Sequence, residues 1–499
     1  MTTTYWMEQL EKWEREIRLH PDDTNAWLCK GKALSALDRH EEALECHDRV
    51  LAPHPEHAEA WNGKGIVLAS MKRMEEALAC HGRAAALNPA NAEIRYAMGL
   101  TLACCGRPGK ALECFDKAVE LNPAHAWAWN DRGIALGNLN RHEEALASHE
   151  RSIELNPEES VFWHNKGMAL NDLERPLEAL ACFEKTVDLN PESADGWLWR
   201  GIASHETGDS ENTLACYDHA LELNPNLAQA WFNKGVVQGE LENREEALEC
   251  YNRAVAIRPD YHQAWLNASI ILSTLDRIEE ALQCCEQVLA LRPDDAWALQ
   301  QKGSLLEYIN RHEEALACYA KAAELAPSDA YIWYLYANLL AEMERQEQAL
   351  ACYNRALETV MPPLAIGVWY GKGCVLERLE KAEEALDCYD HVLDLDPNFM
   401  EAWCNKGITL GTLNRWEEAL CCHDKALDQN PSDADYWYNK AYALGKLGRM
   451  EEALNCHASA SAMNPSLAKA WYQQSVILSS LGREREALAC RAKADELYD

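Results

Sequence analysis

WFNKGVVQGELENREEALECYNRAVAIRP, residues 231–259, is the stretch that decides the fold. Its pattern predicts one short helix over about 228–240 and a second over about 244–257. The second helix carries an apolar stripe of helical period, formed by Ala247, Leu248, Tyr251, Ala254 and Val255. Gly235 has no side chain, so the two helices can approach closely, and Pro259 ends the second one. Neither helix can bury its apolar face alone, so the unit needs copies of itself.

The same unit recurs along the chain at a spacing of 34 residues. Tryptophan marks it in twelve copies, at Trp27, Trp61, Trp129, Trp163, Trp197, Trp231, Trp265, Trp333, Trp369, Trp403, Trp437 and Trp471. Most copies also have a glycine, an alanine and a closing proline at fixed offsets, as in Gly31, Ala43 and Pro55. Two further copies have Arg95 and Leu299 in place of the tryptophan. The sequence therefore contains fourteen units from residue 24 onward.

A period of 34 residues with Trp, Gly, Ala, an aromatic residue and Pro in this order resembles the tetratricopeptide repeat family. The resemblance extends over nearly all of the chain. It implies an all-α solenoid of about 14 helix-turn-helix repeats that forms a right-handed superhelix, with each layer in contact only with its neighbours. It also implies that partners bind along the concave face, which the first helices of the repeats line.

The repeat pattern predicts one continuous solenoid with a short preceding segment. Residues 1–23 contain a lone amphipathic helix over about 4–20, which we expect to be an N-terminal cap. Repeats 1–10 occupy residues 24–364, and repeats 11–14 occupy residues 365–499. A register break of two extra residues falls near 359–367 and contains Pro362 and Pro363, so we expect a bend there. The polar last helix, from about residue 483, is expected to close the chain as a terminal cap.

Composition favours a protein with a continuous core in a reducing compartment. The chain is 48% hydrophobic, and 47 Lys+Arg against 81 Asp+Glu give a formal charge of −34. There is no apolar run long enough to span a bilayer, and the first twenty residues lack a secretory pattern. We therefore expect a cytoplasmic protein without a membrane partner. Because an acidic chain without a basic stripe disfavours nucleic acid, the expected partner is a protein or extended peptide of neutral to basic charge.

Twenty cysteines raise the alternatives of a metal site or a disulfide framework. Thirteen of them recur once per repeat, as Cys46 and Cys80 do. Stacked layers lie about 10 Å apart, whereas a disulfide needs α-carbons within roughly 7 Å. Five histidines follow such positions where other repeats have Tyr or Phe: His47, His81, His149, His423 and His457. We interpret both residue types as packing residues and expect no metal and no cofactor.

Catalytic motifs do not appear in the sequence. It has no glycine-rich phosphate loop, no HExxH and no Gly-x-Ser-x-Gly nucleophile elbow. Pairs of glutamates such as Glu143 and Glu144 open many second helices, where the helix dipole favours negative charge. We interpret these pairs as solvated surface charge, and we expect the chain not to be an enzyme.

The candidate binding surface is the first-helix face, defined by the positions two before each repeat tryptophan and one, two, five, eight and nine after it. Aromatic side chains on this face are candidates for contacts with a bound chain: Trp127, Trp199, Phe232, Trp297, Tyr331, Tyr334, Tyr370 and Tyr438. Small residues eight after the tryptophan, such as Gly137 and Gly411, leave room for an inserted segment.

Asparagine recurs two residues after the tryptophan, at Asn165, Asn233, Asn267, Asn405 and Asn439. A side-chain amide has a donor and an acceptor, so each could pair with one peptide unit of an extended chain. This row resembles the asparagine ladders of some long superhelical members of the family. The alternative is a tolerated surface residue that spread by duplication of the repeat.

Two functions fit this sequence. The first is a non-enzymatic scaffold or adaptor that binds a peptide or protein segment in the groove. The second is a recognition or regulatory subunit that controls an enzyme on a partner chain. They use the same surface and differ in the partner.

Overall fold

The computed structural model describes residues 3–498, which form 29 helices and no strand. The chain divides into two compact units, Met1–Pro259 and Asp260–Asp499. The predicted all-α solenoid of fourteen helix pairs is confirmed, preceded by one additional helix, α1 (Thr3–Leu19). Every helix in this part of the chain is too short or too polar to cross a lipid bilayer.

The first unit contains α1 and seven helix pairs. In order along the chain these are α2 (Thr24–Ala36) and α3 (His40–Leu51), α4 (Ala58–Ser70) and α5 (Met74–Leu87), α6 (Ala92–Cys104) and α7 (Pro108–Leu121), α8 (Ala126–Gly137) and α9 (His142–Leu155), α10 (Ser160–Asp172) and α11 (Pro176–Leu189), α12 (Ala194–Glu206) and α13 (Ser210–Leu223), and α14 (Ala228–Glu240) and α15 (Arg244–Ile257).

The second unit contains the other seven pairs. These are α16 (His262–Thr274) and α17 (Ile278–Leu291), α18 (Ala296–Tyr308) and α19 (His312–Leu325), α20 (Ala330–Glu342) and α21 (Gln346–Leu357), α22 (Pro362–Arg378) and α23 (Ala382–Leu395), α24 (Met400–Thr412) and α25 (Trp416–Gln429), α26 (Ala434–Lys446) and α27 (Met450–Met463), and α28 (Ala468–Ser480) and α29 (Glu484–Tyr498).

The tryptophan and the proline of the repeat act together at the turn between repeats. The indole N–H of Trp163 donates to the carbonyl of Pro157 at 2.8 Å, and that of Trp403 donates to Pro397 at 2.9 Å. The proline ends the second helix of one repeat, and the indole of the next repeat ties the turn to its own first helix. This bond explains why the two residues recur six positions apart.

The turn within each repeat places one residue in the left-handed region. Asn140 has a φ of 58°, and Gly208 has a φ of 83°. The next backbone N–H then reaches back to the end of the first helix, as Arg141 does to the carbonyl of Leu136 at 3.0 Å. This is the 6→1 bond of a Schellman turn, which reverses the chain within three residues.

The recurring packing contact inside most pairs is a ring against a glycine. A Cβ at Gly167 would lie 2.7 Å from Cε1 of Phe183, and one at Gly303 would lie 2.6 Å from Cε1 of Tyr319. The same contact recurs with histidine, since a Cβ at Gly133 would lie 2.5 Å from Cε1 of His149. The absent side chain is therefore what allows the second-helix ring to lie flat on the first helix.

At the N-terminus, α1 packs against α2 and buries Leu10 in one cluster with Ala33 and Leu34. At the predicted register break, α22 begins at Pro362 and runs for 17 residues, so part of the extra sequence forms an additional helical turn. Helix α21 still packs against α22 there. The bend near 359–367 and the boundaries at residues 23 and 364 stay predictions, and the division between the compact units falls at Pro259.

Candidate functional site

Within each unit, several successive first helices contact one another, as α4 contacts α6 and α24 contacts α26. Among residues 3–498, second helices of neighbouring repeats make no comparable contact, and they pack mainly on first helices. The first helices are therefore the more closely spaced row in each unit. Side chains of neighbouring repeats come within reach of each other along the first-helix face, so they can contact one ligand together.

Three of the predicted aromatic residues are exposed on this face. They lie two positions before the repeat tryptophan or, for Trp297, before the leucine that replaces it; Trp127 is 41% exposed, Trp297 44% and Tyr331 48%. Trp297 in α18 and Tyr331 in α20 occupy the same position of consecutive repeats. Side chains so placed can contact a bound chain without first leaving a packed core.

The other five predicted aromatic residues are half-buried: Trp199, Phe232, Tyr334, Tyr370 and Tyr438. Several lie against rings of the second helices, which accounts for part of their burial. Trp199 stacks on Phe183 with ring centroids 6.0 Å apart, and Tyr370 is tilted against Tyr389 at 6.2 Å. Part of each ring is therefore accessible to a ligand, and the remainder packs within the chain.

The row of asparagines is half-buried, and several of its amides bond within the chain. The side-chain N–H of Asn165 donates to the side-chain oxygen of Asn130 at 2.9 Å, and that of Asn405 donates to the hydroxyl of Tyr370 at 3.1 Å. Asn439 lies 3.4 Å from the sulfur of Cys404, and Asn233 hydrogen-bonds to the side chain of Tyr217. Asn267 occupies the same position in α16.

These bonds join the four asparagines to the preceding repeat, a role that the sequence interpretation did not include. An amide has two N–H donors and an acceptor oxygen. Asn165 and Asn439 each donate one such bond between layers, and Asn405 donates two, so a bound peptide would meet a partly occupied amide. The row is thus a structural contact as well as a candidate binding row.

The sequence analysis included the position five after the tryptophan in the face but singled out no residue there. In the structure this position carries exposed apolar side chains in consecutive repeats, each 38–47% exposed: Ile66, Leu100 and Ile134 in the first unit, and Ile408, Tyr442 and Val476 in the second. This row could be recognised in the sequence, because its residues occupy the same position of the 34-residue repeat. It was missed because aliphatic residues in a helix usually indicate core.

Pockets open beside this apolar row. One of about 440 Å³ lies beside Leu100 and Ile134 in the first unit. One of about 500 Å³ in the second unit has Ile408 and Tyr442 in its lining, with Trp416 at the start of α25 as a further wall. A third, of about 490 Å³, has Ile66 and Trp6 in its lining. Each volume exceeds that of a single large side chain.

Charges near the face are largely paired between repeats. The ammonium of Lys64 lies over the ring of Trp61 and 2.6 Å from a carboxylate oxygen of Asp48 in the preceding second helix. Lys440 repeats this arrangement with Trp437 and with Asp424 at 2.7 Å. These lysines therefore form ion pairs between neighbouring repeats. Because their charges are paired, they add no strong charge beside the apolar row.

The recurring histidines and cysteines lie inside the packing. Burial lowers the pKa of each of the five recurring histidines to about 4, as in His149. Burial also raises the pKa of Cys46 and Cys182 to about 11. In residues 3–498, no group of three or more His, Cys, Asp or Glu side chains could hold a metal ion. These imidazoles and thiols are placed for packing.

Thiol accessibility gives a direct test of this placement. At pH 8 we expect Cys104 and Cys421, the two exposed thiols, to react with an aromatic disulfide reagent first. Cys46 and Cys182 should react far more slowly, because their raised pKa values leave little thiolate and their side chains are buried. After denaturation without reductant, all twenty cysteines should titrate. Peptide mass mapping that found Cys46 labelled as fast as Cys104 would contradict the packing described here.

Sequence comparisons identify the repeats. Profiles described as tetratricopeptide repeat match residues 28–92, 92–125, 114–147, 164–228, 228–261, 262–295, 301–366, 366–399, 388–420 and 424–455. No curated protein matches the chain with significant similarity.

Several solved structures resemble parts or most of the chain. YrrB, a TPR protein described with an unusual peptide-binding site, is 27% identical with a TM-score of 0.33, over 37% of this chain and 95% of its own. MamA is 19% identical with a TM-score of 0.31, over 32% and 94%. The APC/C hetero-tetramer Cut9–Hcn1 is 14% identical with a TM-score of 0.40, over 88% and 93%.

The repeat profiles together cover most of residues 28–455, and the helix pairs of the structure have the same period. The chain belongs to the tetratricopeptide repeat family.

Proposed function

We propose that the chain is a non-enzymatic scaffold that binds an extended segment of a partner protein along the first-helix face. The observation that carries this proposal is the apolar row five positions after the repeat tryptophan. Exposed Leu100 and Ile134 stand in consecutive repeats beside one pocket, and Ile408 and Tyr442 do so in the second unit. Exposed apolar side chains in register, beside pockets, are typical of surfaces that bind a partner.

The spacing of the row favours one conformation of the bound segment. Layers lie about 10 Å apart, and a polyproline II segment advances about 3.1 Å per residue with three residues per turn. Every third side chain of such a segment faces the same way, so one side chain can enter a pocket in each successive layer. A strand would alternate its side chains with period two and match the layers less well. We therefore expect every third side chain of the bound segment to enter a pocket, with most of these side chains apolar.

The remaining features of the face support the same mode of binding. The exposed rings of Trp297 and Tyr331 can cover peptide units or pack against side chains between the pockets. The second N–H of Asn165 and the side-chain oxygens of Asn165 and Asn405 can bond to the backbone of the segment. The buried thiols and imidazoles have pKa values shifted toward their neutral forms, which favours a packing role over a nucleophilic one.

The proposal predicts a loss of binding when charge enters the apolar row. A photoreactive amino acid at Ile134 or Ile408 should cross-link a partner segment from cells of the native source, while one at Glu113, which is exposed on α7, should not. Ile134→Asp should then weaken binding of that partner about tenfold or more, because a buried isoleucine contributes about 1.5–3 kcal/mol.

The control is Glu113→Gln, which we expect to bind as the parent does. Because both positions are exposed, folding should change by no more than about 0.5 kcal/mol, measured by chemical denaturation. If the cross-links came only from position 113, or if Ile134→Asp bound normally, the interaction surface would be elsewhere. A cross-linked partner with a catalytic domain would indicate the regulatory-subunit function.

A further inference from the structure

The pocket between α6 and α8 contains a single carboxylate in a largely apolar lining. Leu100, Phe115 and Ile134 form apolar walls, the exposed thiol of Cys104 lies at its edge, and Asp131 contributes the carboxylate. Asp131 is the one acidic residue among the described lining residues. The pocket therefore combines apolar walls with a single carboxylate group.

Asp131 stands two residues after the repeat tryptophan, the position that carries asparagine in five other repeats. It accepts a hydrogen bond from the hydroxyl of Tyr96 at 2.8 Å and another from the side-chain amide of Asn130 at 3.0 Å. Asn130 in turn accepts from Asn165 at 2.9 Å. Side chains of three consecutive repeats thus form one hydrogen-bonded network around this carboxylate, in which Tyr96 and Asn130 donate to it directly and fix its position.

The charge of Asp131 has no fixed counterion. No lysine or arginine within residues 3–498 forms an ion pair with it, and nearby Arg132 pairs with Asp116 at 2.7 Å. Burial raises the pKa of Asp131, while the bonds from Tyr96 and Asn130 and the nearby His125 act in the opposite direction. An ionised carboxylate has about four acceptor sites, so the two bonds leave capacity for a further donor.

We propose that this pocket receives a basic side chain, lysine or arginine, from the bound segment. The inference rests on the proposed function and names one residue class in its ligand. The aliphatic stem lies between Leu100 and Ile134, and the cation reaches the carboxylate of Asp131. Lysine and arginine are the side chains that combine an apolar stem with a cationic end. A charge-assisted bond to a partly buried carboxylate is stronger than a neutral one.

Other occupants fit less well. A purely apolar side chain would remove water from Asp131 and leave its charge without a partner, which is unfavourable. An acidic side chain would meet like charge. The formal charge of −34 also attracts basic segments at long range.

The test begins with random peptides displayed on phage, about twelve residues long to span about four layers at three residues per layer. They are selected on the full-length protein, and the enriched peptides are synthesised with a fluorescent label. Affinities are measured for the parent chain, for Asp131→Asn and for the matched control Glu113→Gln. Each peptide is also made with its basic residue replaced by an uncharged analogue, norleucine for lysine or citrulline for arginine.

We expect enriched peptides to carry a basic residue at one fixed position. Removing its charge should weaken binding to the parent about tenfold or more. The same change should have almost no effect on binding to Asp131→Asn, and Glu113→Gln should behave as the parent. A bound peptide should also slow alkylation of Cys104 but not that of Cys421, which is exposed in the second unit.

The outcomes separate the two proposals. If peptides bind and Ile134→Asp prevents binding, but no basic position is enriched or its effect persists in Asp131→Asn, the basic-residue inference is wrong and the proposed function stands. If no enriched peptide depends on Ile134, both fail. Asparagine occupies this position in five other repeats, so Asp131→Asn should fold, and its circular dichroism melting curve checks this.

Discussion

Acidification from pH 7 to pH 5 is expected to destabilise the protein through its five buried histidines. Each packs where other repeats have Tyr or Phe, and His47, His149 and His423 each have a buried ring nitrogen without a hydrogen-bond partner. Burial lowers their pKa values to about 4. In the unfolded chain a histidine titrates near pH 6.5.

The direction follows from proton binding. Between about pH 6.5 and pH 4 the unfolded chain binds protons that the folded chain does not, so stability falls as pH falls through this range. The contribution of the neutral histidines is complete above about pH 6.5 and lost by about pH 4. Each histidine can contribute up to about 3 kcal/mol over the full range. Carboxylates titrate mainly below pH 5, so the interval from pH 7 to pH 5 isolates the histidines.

The matched variant replaces all five histidines with phenylalanine. Phenylalanine already occupies the equivalent position in another repeat, where Phe183 packs against Gly167 in the same way. We expect its urea midpoint, followed by circular dichroism, to change much less between pH 7 and pH 5 than that of the parent. A single His149→Phe should remove only part of the dependence. Equal acid sensitivity in the parent and the five-fold variant would show that other groups control it.

Gly167→Ala is expected to destabilise the first unit strongly. The added Cβ would lie 2.7 Å from the ring of Phe183, a residue that is completely buried and stacked on Trp199. Because the ring has no free space to move into, the helices of that pair must separate. Overpacking of this kind usually has an effect of about 1–3 kcal/mol. Urea unfolding and the loss of near-ultraviolet ellipticity measure it.

Gly82→Ala is the control, because Gly82 lies inside helix α5 with no atom within 4 Å of an added Cβ. There the substitution should stabilise by about 0.5–1 kcal/mol, since alanine loses less conformational freedom in a helix. The double variant Gly167→Ala with Phe183→Leu should recover part of the lost stability. If Gly167→Ala melted with the parent, the contact between ring and glycine would not limit the packing of the pair.

The proposed function and the stability predictions concern different parts of the repeat. Phe183 and His149 lie between the helices of a pair, whereas Ile134 and Trp297 lie exposed on the first-helix face. Variants of the first group should change unfolding, and variants of the second should change binding. A variant such as Ile134→Asp can therefore be interpreted without a large change of fold.

The sequence alone determined the repeat and its elements. The 34-residue period predicted helices over about 228–240 and 244–257, and the structure has Ala228–Glu240 and Arg244–Ile257. This works because helix ends are set locally, by proline and by the apolar period. The pairing of Gly235 with the Tyr251 ring also lies within one repeat, where sequence spacing fixes distance.

Only the tertiary structure decided how neighbouring repeats share their side chains. Trp127 and Trp199 both belong to the predicted face, yet Trp127 is exposed and Trp199 stacks on Phe183. Asn165 was predicted to face a ligand, and it also bonds to Asn130, 35 residues earlier. Such contacts depend on the rotation and separation of successive layers, which are set by packing summed over many side chains. No spacing within one repeat contains that information, so the Asp131 carboxylate and its three-repeat network appear only once the layers are stacked.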